Sequence, residues 1–251
     1  VQNIGTLFEN LWNMPLGTMK NALVAAKLYK LFPDLVISDY ESFSYYYGRS
    51  KLAPVVALDN IQAINRCELK VPKGFQLAYQ IARGVNKMRT PFCSRYFITS
   101  FAYPKVLPEH QKNTELVPPI LRPAILEAKT EKQNHIIVYQ TSDSYTDLVP
   151  ALNTLNDQRF IVYGLRRNLK ENKTDEIIGN CHIKNNDEYT FLEDLRTAKA
   201  VITNGGFTLI SEALHLGKPI LSVPVQEHFE QAYNGLALDQ MGYGKFAPEI
   251  T

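Results

Sequence analysis

At 251 residues the chain is long for one α/β layer and suits two smaller domains. Hydrophobic content of 45% and charged content of 21% are ordinary for a globular protein, and a net charge of +2 is too small to argue for a nucleic-acid partner. Cys67, Cys93 and Cys181 show neither metal-ligand spacing nor an even count, which points to a reducing, cytoplasmic setting. No apolar run reaches the roughly 18 residues of a spanning helix, and no signal-peptide pattern stands at the amino terminus.

Residues 1–16 are polar and irregular. From Gly17 an amphipathic helix is expected, with Leu23, Ala26, Leu28 and Leu31 partly inward and Pro33 as its stop. Residues 34–39 read as a strand, Phe43 opens an aromatic helix to Tyr47, and residues 54–59 form the next strand, again ending in a polar group. This alternation predicts a parallel sheet. Tyr45, Tyr46 and Tyr47 with Arg49 and Lys51 offer an aromatic-basic patch for peripheral membrane contact; core packing competes, because consecutive tyrosines on a helix point different ways.

Residues 60–92 look largely helical, best over 76–87 with Pro91 as a stop, and 95–100 alternate as a strand. The stretch 101–123 carries five prolines and no helical period. Residues 134–140 give an apolar strand, followed by Thr141, Ser142, Asp143 and Ser144 and a helix over 147–155. Thr141, Ser142 and Ser144 can donate to phosphate at a helix start, although an ordinary capping cluster looks the same and Asp143 would repel phosphate. Residues 160–163 form a strand, the charged stretch 165–178 reads as a loop, 179–184 as a short strand and 189–199 as a helix.

The stretch most suited to a ligand follows. Residues 200–202 are a buried strand ending in Thr203-Asn204-Gly205-Gly206; a helical period then runs through Phe207, Leu209, Ile210, Ala213, Leu214 and Leu216 to the stop at Gly217 and Pro219. Another strand over 219–223 and a helix from about Glu227 complete a βαβα unit, with its turn at a strand's carboxyl end, where open α/β sheets bind ligands. Glycines permit close backbone approach, and a helix start attracts a diphosphate. Glu212, four residues after Thr208 and on the same helix face, suits paired ribose hydroxyls. His215 lies on the apolar face, and His228 stands near Glu230 and Gln231 in the loop before the last helix.

The run from Thr203 to Gly235 resembles the carboxyl-domain signature of GT-B nucleotide-sugar glycosyltransferases, above all the MurG/UDP-glycosyltransferase-like group. Gly205-Gly206, Thr208, Glu212-Ala213-Leu214, Gly217-Lys218-Pro219, Pro224, Glu230-Gln231 and Asn234 match it over about thirty residues in correct spacing. The resemblance implies two Rossmann-like parallel-sheet domains facing a cleft, an α/β fold. It places Gly205 and Gly206 at the donor diphosphate, Glu212 at the ribose and Gln231 at the donor sugar, with Asn204, Phe207, Thr208, His228 and Glu230 in the same donor-binding set. Residues 179–184 resemble the base-reading strand, with Ile183 at the nucleobase edge. VPPILRPAIL resembles the interdomain connection, so a boundary is expected near Pro118, dividing 1–117 from 118–251.

PDLVISD, with the proline-led strand after it, resembles only the later half of a GT-B amino domain. Roughly 70–100 residues are therefore expected to be missing, at about 30 per βαβ unit, and with them the early turn that carries the group's base and much of its acceptor site. Asp39 and Glu41, at the end of a strand, are the local candidates for a base, against a capping role for Asp39. The implied reaction passes a sugar, from a UDP-linked donor, to a glycan, lipid or small-molecule acceptor. No cofactor or metal is called for, since helix dipole and loop amides stabilise the leaving diphosphate. A UDP-sugar 2-epimerase and a non-catalytic nucleotide-sugar-binding subunit remain as alternatives.

Overall fold

Two parallel sheets carry the chain in sequence order. The structure, a computed structural model, describes residues 21, 23–140, 147–165, 175–185 and 187–249. The amino-side sheet comprises β1 (Val36–Ser38), β2 (Val55–Asp59), β3 (Arg95–Thr99) and β4 (Thr114–Val117), adjacent in that order and all parallel. Helix α1 (Ser42–Ser50) crosses between β1 and β2; α2 (Ala63–Arg66) and α3 (Gln76–Arg89) lie between β2 and β3. Alternate residues of β2, Val55 and Ala57, are buried with Tyr45, Cys93 and Tyr96. Gly48 lets α1 lie close on the sheet: a Cβ there would stand 2.8 Å from Val55 Cγ2.

The three tyrosines of α1 do point different ways. Tyr45 is buried, the Tyr46 hydroxyl donates to Met88 O and the Tyr47 hydroxyl donates to Leu28 O and Leu31 O. Lys51 sits 4.3 Å from the Phe32 ring centroid and 5.0 Å from that of Tyr29, so part of the basic-aromatic cluster is spent on internal cation–π contacts.

Among the described residues the carboxyl-side sheet has seven strands: β5 (Ile136–Tyr139), β6 (Phe160–Tyr163), β7 (Glu176–Ile178), β8 (Cys181–Ile183), β9 (Ala200–Thr203), β10 (Ile220–Ser222) and β11 (Gly244–Phe246). Its spatial order is β11-β10-β9-β5-β6-β8-β7, and among the described residues only the β7–β8 pair is antiparallel. The helices are α4 (Pro123–Leu126), α5 (Leu148–Asn153), α6 (Glu188–Thr197), α7 (Phe207–His215) and α8 (Phe229–Gln240). Because helices cover both faces, adjacent residues of one strand enter different cores. Ile137 joins Leu195, Ile210 and Leu238, while Val138 joins Phe160, Val162 and Leu148. Each such side chain contributes about 1.5–3 kcal/mol of burial.

Three strands depart from the sequence expectation. β4 lies inside the proline-rich stretch, β7 closes the charged segment read as a loop, and β11 follows the last helix. Each is a short strand at a sheet edge, made by its neighbour's ladder rather than by its own pattern. The helical reading of 60–92 also contracts to α2 and α3, with irregular chain between them.

Contacts between the sheets gather on the starts of α7 and α8. The Tyr79 ring meets Phe229 at 4.7 Å between centroids, and Phe101 stacks on Phe207 at 5.6 Å. Asn60 Nδ2 donates to Glu230 Oε1 at 2.9 Å. From β5 the chain runs outward through β6 and β8, then returns to β9 on the other side of β5. The crevice at the carboxyl ends of β5 and β9 is therefore the switch point, where this class of sheet takes ligands.

Candidate functional site

A cleft of about 530 Å³ opens at that switch point. Its floor is the turn from β9 into α7, and the two glycines there have separate physical reasons. Gly205 has φ +90°, and a Cβ on it would stand 2.5 Å from Gln231 O, so the position admits only glycine. Gly206 has ordinary φ −64°, nothing within 4 Å of its absent Cβ, and lies on the cleft wall as the N-cap of α7. The side chains around the turn brace it. Asn204 Nδ2 donates to Gln140 Oε1 (2.7 Å) and Val223 O (3.1 Å), Asn234 Nδ2 donates to Gly205 O (3.0 Å), and Gln231 Oε1 accepts from Val225 N (2.9 Å).

Glu212, one turn inside α7, is 1% exposed and lines the cleft. Its partner is Arg122, which immediately precedes α4 and its first residue, Pro123. Arg122 Nε meets Glu212 Oε1 at 2.7 Å and Nη2 meets Oε2 at 2.7 Å, a two-pronged pair; Nη1 reaches Glu188 Oε1 at 3.0 Å. The Glu212 hydrogen bonds hold the Arg122 guanidinium above its usual pKa against burial. Each Glu212 oxygen keeps a second lone pair for another donor. Asp187 and Glu188 stand at the rim. Asp187 caps α6 by accepting from Thr190 N and Oγ1, which lowers its pKa. Tyr139 and Phe191, 5.5 Å apart in edge-to-face contact, supply an apolar wall.

Of the donor-binding candidates, the cleft gathers Asn204, Gly206, Phe207, Thr208 and Glu212. Gly205 lies beneath it. Glu230 bonds to Asn60 across the sheets, and His228, exposed at the start of α8, does not line the cleft. The Ile183 side chain is buried in the second core, and Lys184 N, just after it, donates to Val162 O at 2.9 Å. His182 Nε2 lies 3.3 Å from Asp175 Oδ2. Thr141 and Ser142 lie outside the described residues. Among the described residues, no group of three or more His, Cys, Asp or Glu side chains is arranged to hold a metal ion, and no helix is long and apolar enough to cross a membrane.

On the amino side, Asp39 follows β1 and is exposed. Glu41 caps α1, its two carboxylate oxygens accepting from Phe43 N (3.0 Å) and Ser44 N (2.8 Å). A third acid, Asp59, ends β2 and is 5% exposed; Oδ1 accepts from Gln62 N at 2.8 Å and Oδ2 is buried with no partner. Burial pushes its carboxyl up to about 6, with Asp39 and Glu230 adding to the rise and the Gln62 and Ile61 amides opposing it. Sequence reasoning passed over both Asp59 and Arg122. An acid closing a parallel strand was a signal for the first. For the second it was a lone arginine before the proline that starts a helix.

A family model described as Glycosyl transferase family 1 matches residues 1–250. An uncharacterised glycosyltransferase of Methanosarcina acetivorans is 41% identical over 74 residues, 28% of this chain and 19% of that relative. One from Methanosarcina mazei is 51% identical over 51 residues, 20% of this chain and 14% of that relative. Among solved structures, Phytolacca americana UGT2, complexed with UDP-2fluoro-glucose and pterostilbene, is similar at TM-score 0.58 and 12% identity, over 94% of this chain and 66% of that one. The glycotransferase of kitacinnamycin gives TM-score 0.57 and 13% identity, over 91% and 66%. These structures share the two-sheet GT-B arrangement, and this chain spans about two thirds of their length.

Proposed function

The chain belongs to glycosyl transferase family 1, and from that premise we propose that it moves a sugar from a UDP-sugar to a hydroxyl-bearing acceptor without a metal ion. The observation that carries this reading is the buried Glu212 carboxylate. It is fixed by the Arg122 fork and set one turn beneath the open helix start at Gly206. Ribose hydroxyls would donate to the remaining lone pairs of Glu212, and the diphosphate would lie against the first α7 amides, beside the Arg122 charge. The acceptor oxygen bonds to the anomeric carbon, the bond from that carbon to the phosphate oxygen breaks, and UDP leaves with the electron pair. The acceptor proton passes to an amino-side carboxylate. Asp39 suits this better than Glu41, whose two oxygens already hold α1 amides. Asp59, with its raised pKa and unpartnered oxygen, is the other candidate.

Titration calorimetry with UDP and UDP-sugars tests the donor half. Wild-type protein is expected to bind, and Glu212→Ala to bind at least about 30-fold more weakly through loss of a hydrogen-bonded charged group. Failure of every nucleotide to bind would refute the reading, and binding with no transfer to any acceptor would remove the enzymatic half. Transfer rates in Asp39→Asn and Asp59→Asn then assign the base; full activity in both clears both.

A further inference from the structure

A second cavity, about 420 Å³, lies in the amino-side unit between α2, the carboxyl half of α3 and the segment around Pro108–His110. It shares no lining residue with the donor cleft. Three cations line it, Arg66, Arg83 and Lys87, against one acid, Glu109. Arg66 is 7% exposed, yet its partners are neutral: Nε donates to Thr114 Oγ1 at 2.7 Å, Nη2 to Asn113 Oδ1, and the guanidinium stacks on the Tyr96 ring at 3.6 Å. Among the described residues, no carboxylate forms an ion pair with any of the three cations. Burial without an opposing charge is costly, and it draws the Arg66 pKa down.

Hydrogen-bonding capacity is left over in the lining as well. Arg83 Nε, Asn65 Oδ1 and Asn86 Oδ1 are all buried without a hydrogen-bond partner, and Asn86 is 1% exposed. The amide orientations are fixed, because Asn65 Nδ2 donates to Arg83 O (3.2 Å) and Asn86 Nδ2 donates to Ile61 O (3.1 Å). Turning either amide over would set oxygen against oxygen. The cavity thus offers an anion three positive charges, and its walls hold, just beneath the surface, one N–H and two fixed amide oxygens without a partner. Buried polar groups are seldom left unpaired without a reason.

We propose that this cavity is a second binding site, for a small hydroxyl-bearing organic anion such as a sugar phosphate or sugar carboxylate. The anionic group would lie among Arg66, Arg83 and Lys87, and the hydroxyls would donate to Asn65 Oδ1 and Asn86 Oδ1. The site is independent of the donor reading.

Calorimetric titration with glucose 6-phosphate, glucuronate, inorganic phosphate and glucose tests it, on wild-type protein and on Arg83→Gln, Lys87→Gln and Glu212→Ala. At least one of the two hydroxyl-bearing anions is expected to bind about tenfold or more tightly than inorganic phosphate, and glucose is expected not to bind. The tighter of the two names the anionic group. Arg83→Gln and Lys87→Gln are each expected to weaken that affinity about tenfold, while Glu212→Ala leaves it unchanged. Lys87 is exposed, so its variant decides the question if Arg83→Gln does not fold. No saturable binding of either organic anion to wild type overturns the site. Equal affinity for inorganic phosphate overturns the hydroxyl-bearing class, and loss in Glu212→Ala rather than at Arg83 or Lys87 moves the anion to the donor cleft.

Discussion

Buried charge is met in opposite ways at two places in this protein, one in each unit. In the carboxyl-side unit Glu212 is almost wholly buried, but the Arg122 fork matches both of its oxygens. The amides of Asn204, Asn234 and Gln231 beside it all bond to neighbours inside the protein. In the amino-side unit Asp59 and Arg66 are nearly as deep and neither meets an opposite charge; one Asp59 oxygen and several groups near Arg66 lack any partner. The first arrangement is closed and holds a geometry. The second leaves electrostatic and hydrogen-bonding capacity to be met by protons or ligands.

The sharpest way to break this contrast is to open the closed side. Arg122→Ala strands the Glu212 carboxylate and is expected to cost about 3 kcal/mol of stability in denaturant titration, while Arg122→Ala with Glu212→Ala recovers much of it. Equal stability for the single and double variants would show that the pair carries no mutual dependence. Next comes Gly205→Ala, expected to destabilise by about 2–3 kcal/mol, since both the positive φ and the approach of Gln231 O oppose a Cβ. Gly206→Ala should leave the melting temperature nearly unchanged while weakening nucleotide binding.

The effect expected on the open side depends on pH. The Asp59 carboxyl is raised in the fold from 3.8 to about 6, so the native state holds its proton more tightly than the unfolded chain. Its contribution is fully present below the unfolded value and is lost as pH climbs from about 4 through about 6, amounting to about 3 kcal/mol by neutral pH. Asp59→Asn should flatten that fall in a stability–pH series. An unchanged slope would mean that Asp59 does not titrate in this window.

These features were legible in the sequence to different degrees. The turn at Asn204-Gly205-Gly206 was readable because its causes are local: an apolar strand, two glycines and a 3.6-residue period meet within a dozen positions. The cleft's partner for Glu212 was not, since Arg122 lies 90 residues away in sequence and only the fold brings them together. β4 and β7 were hidden for a related reason. Thr114–Val117 and Glu176–Ile178 are too short to show a period, and their extended form is set by β3 and β8. The burial of Asp59 is likewise a tertiary property, and an acid ending a strand looks the same in sequence whether wet or dry.

The strip from Phe207 to Tyr233 serves two masters. Phe207 stacks on Phe101 and Phe229 packs at a tilt against Tyr79, Glu230 bonds to Asn60, and Gln231 steadies the main chain before α8. For anyone reshaping the cleft, these residues are poor starting points, because a change there would also loosen the seam between the sheets. Gly206 and Thr208 carry no such duty. They are where a library of variants could vary the cleft while leaving the architecture alone.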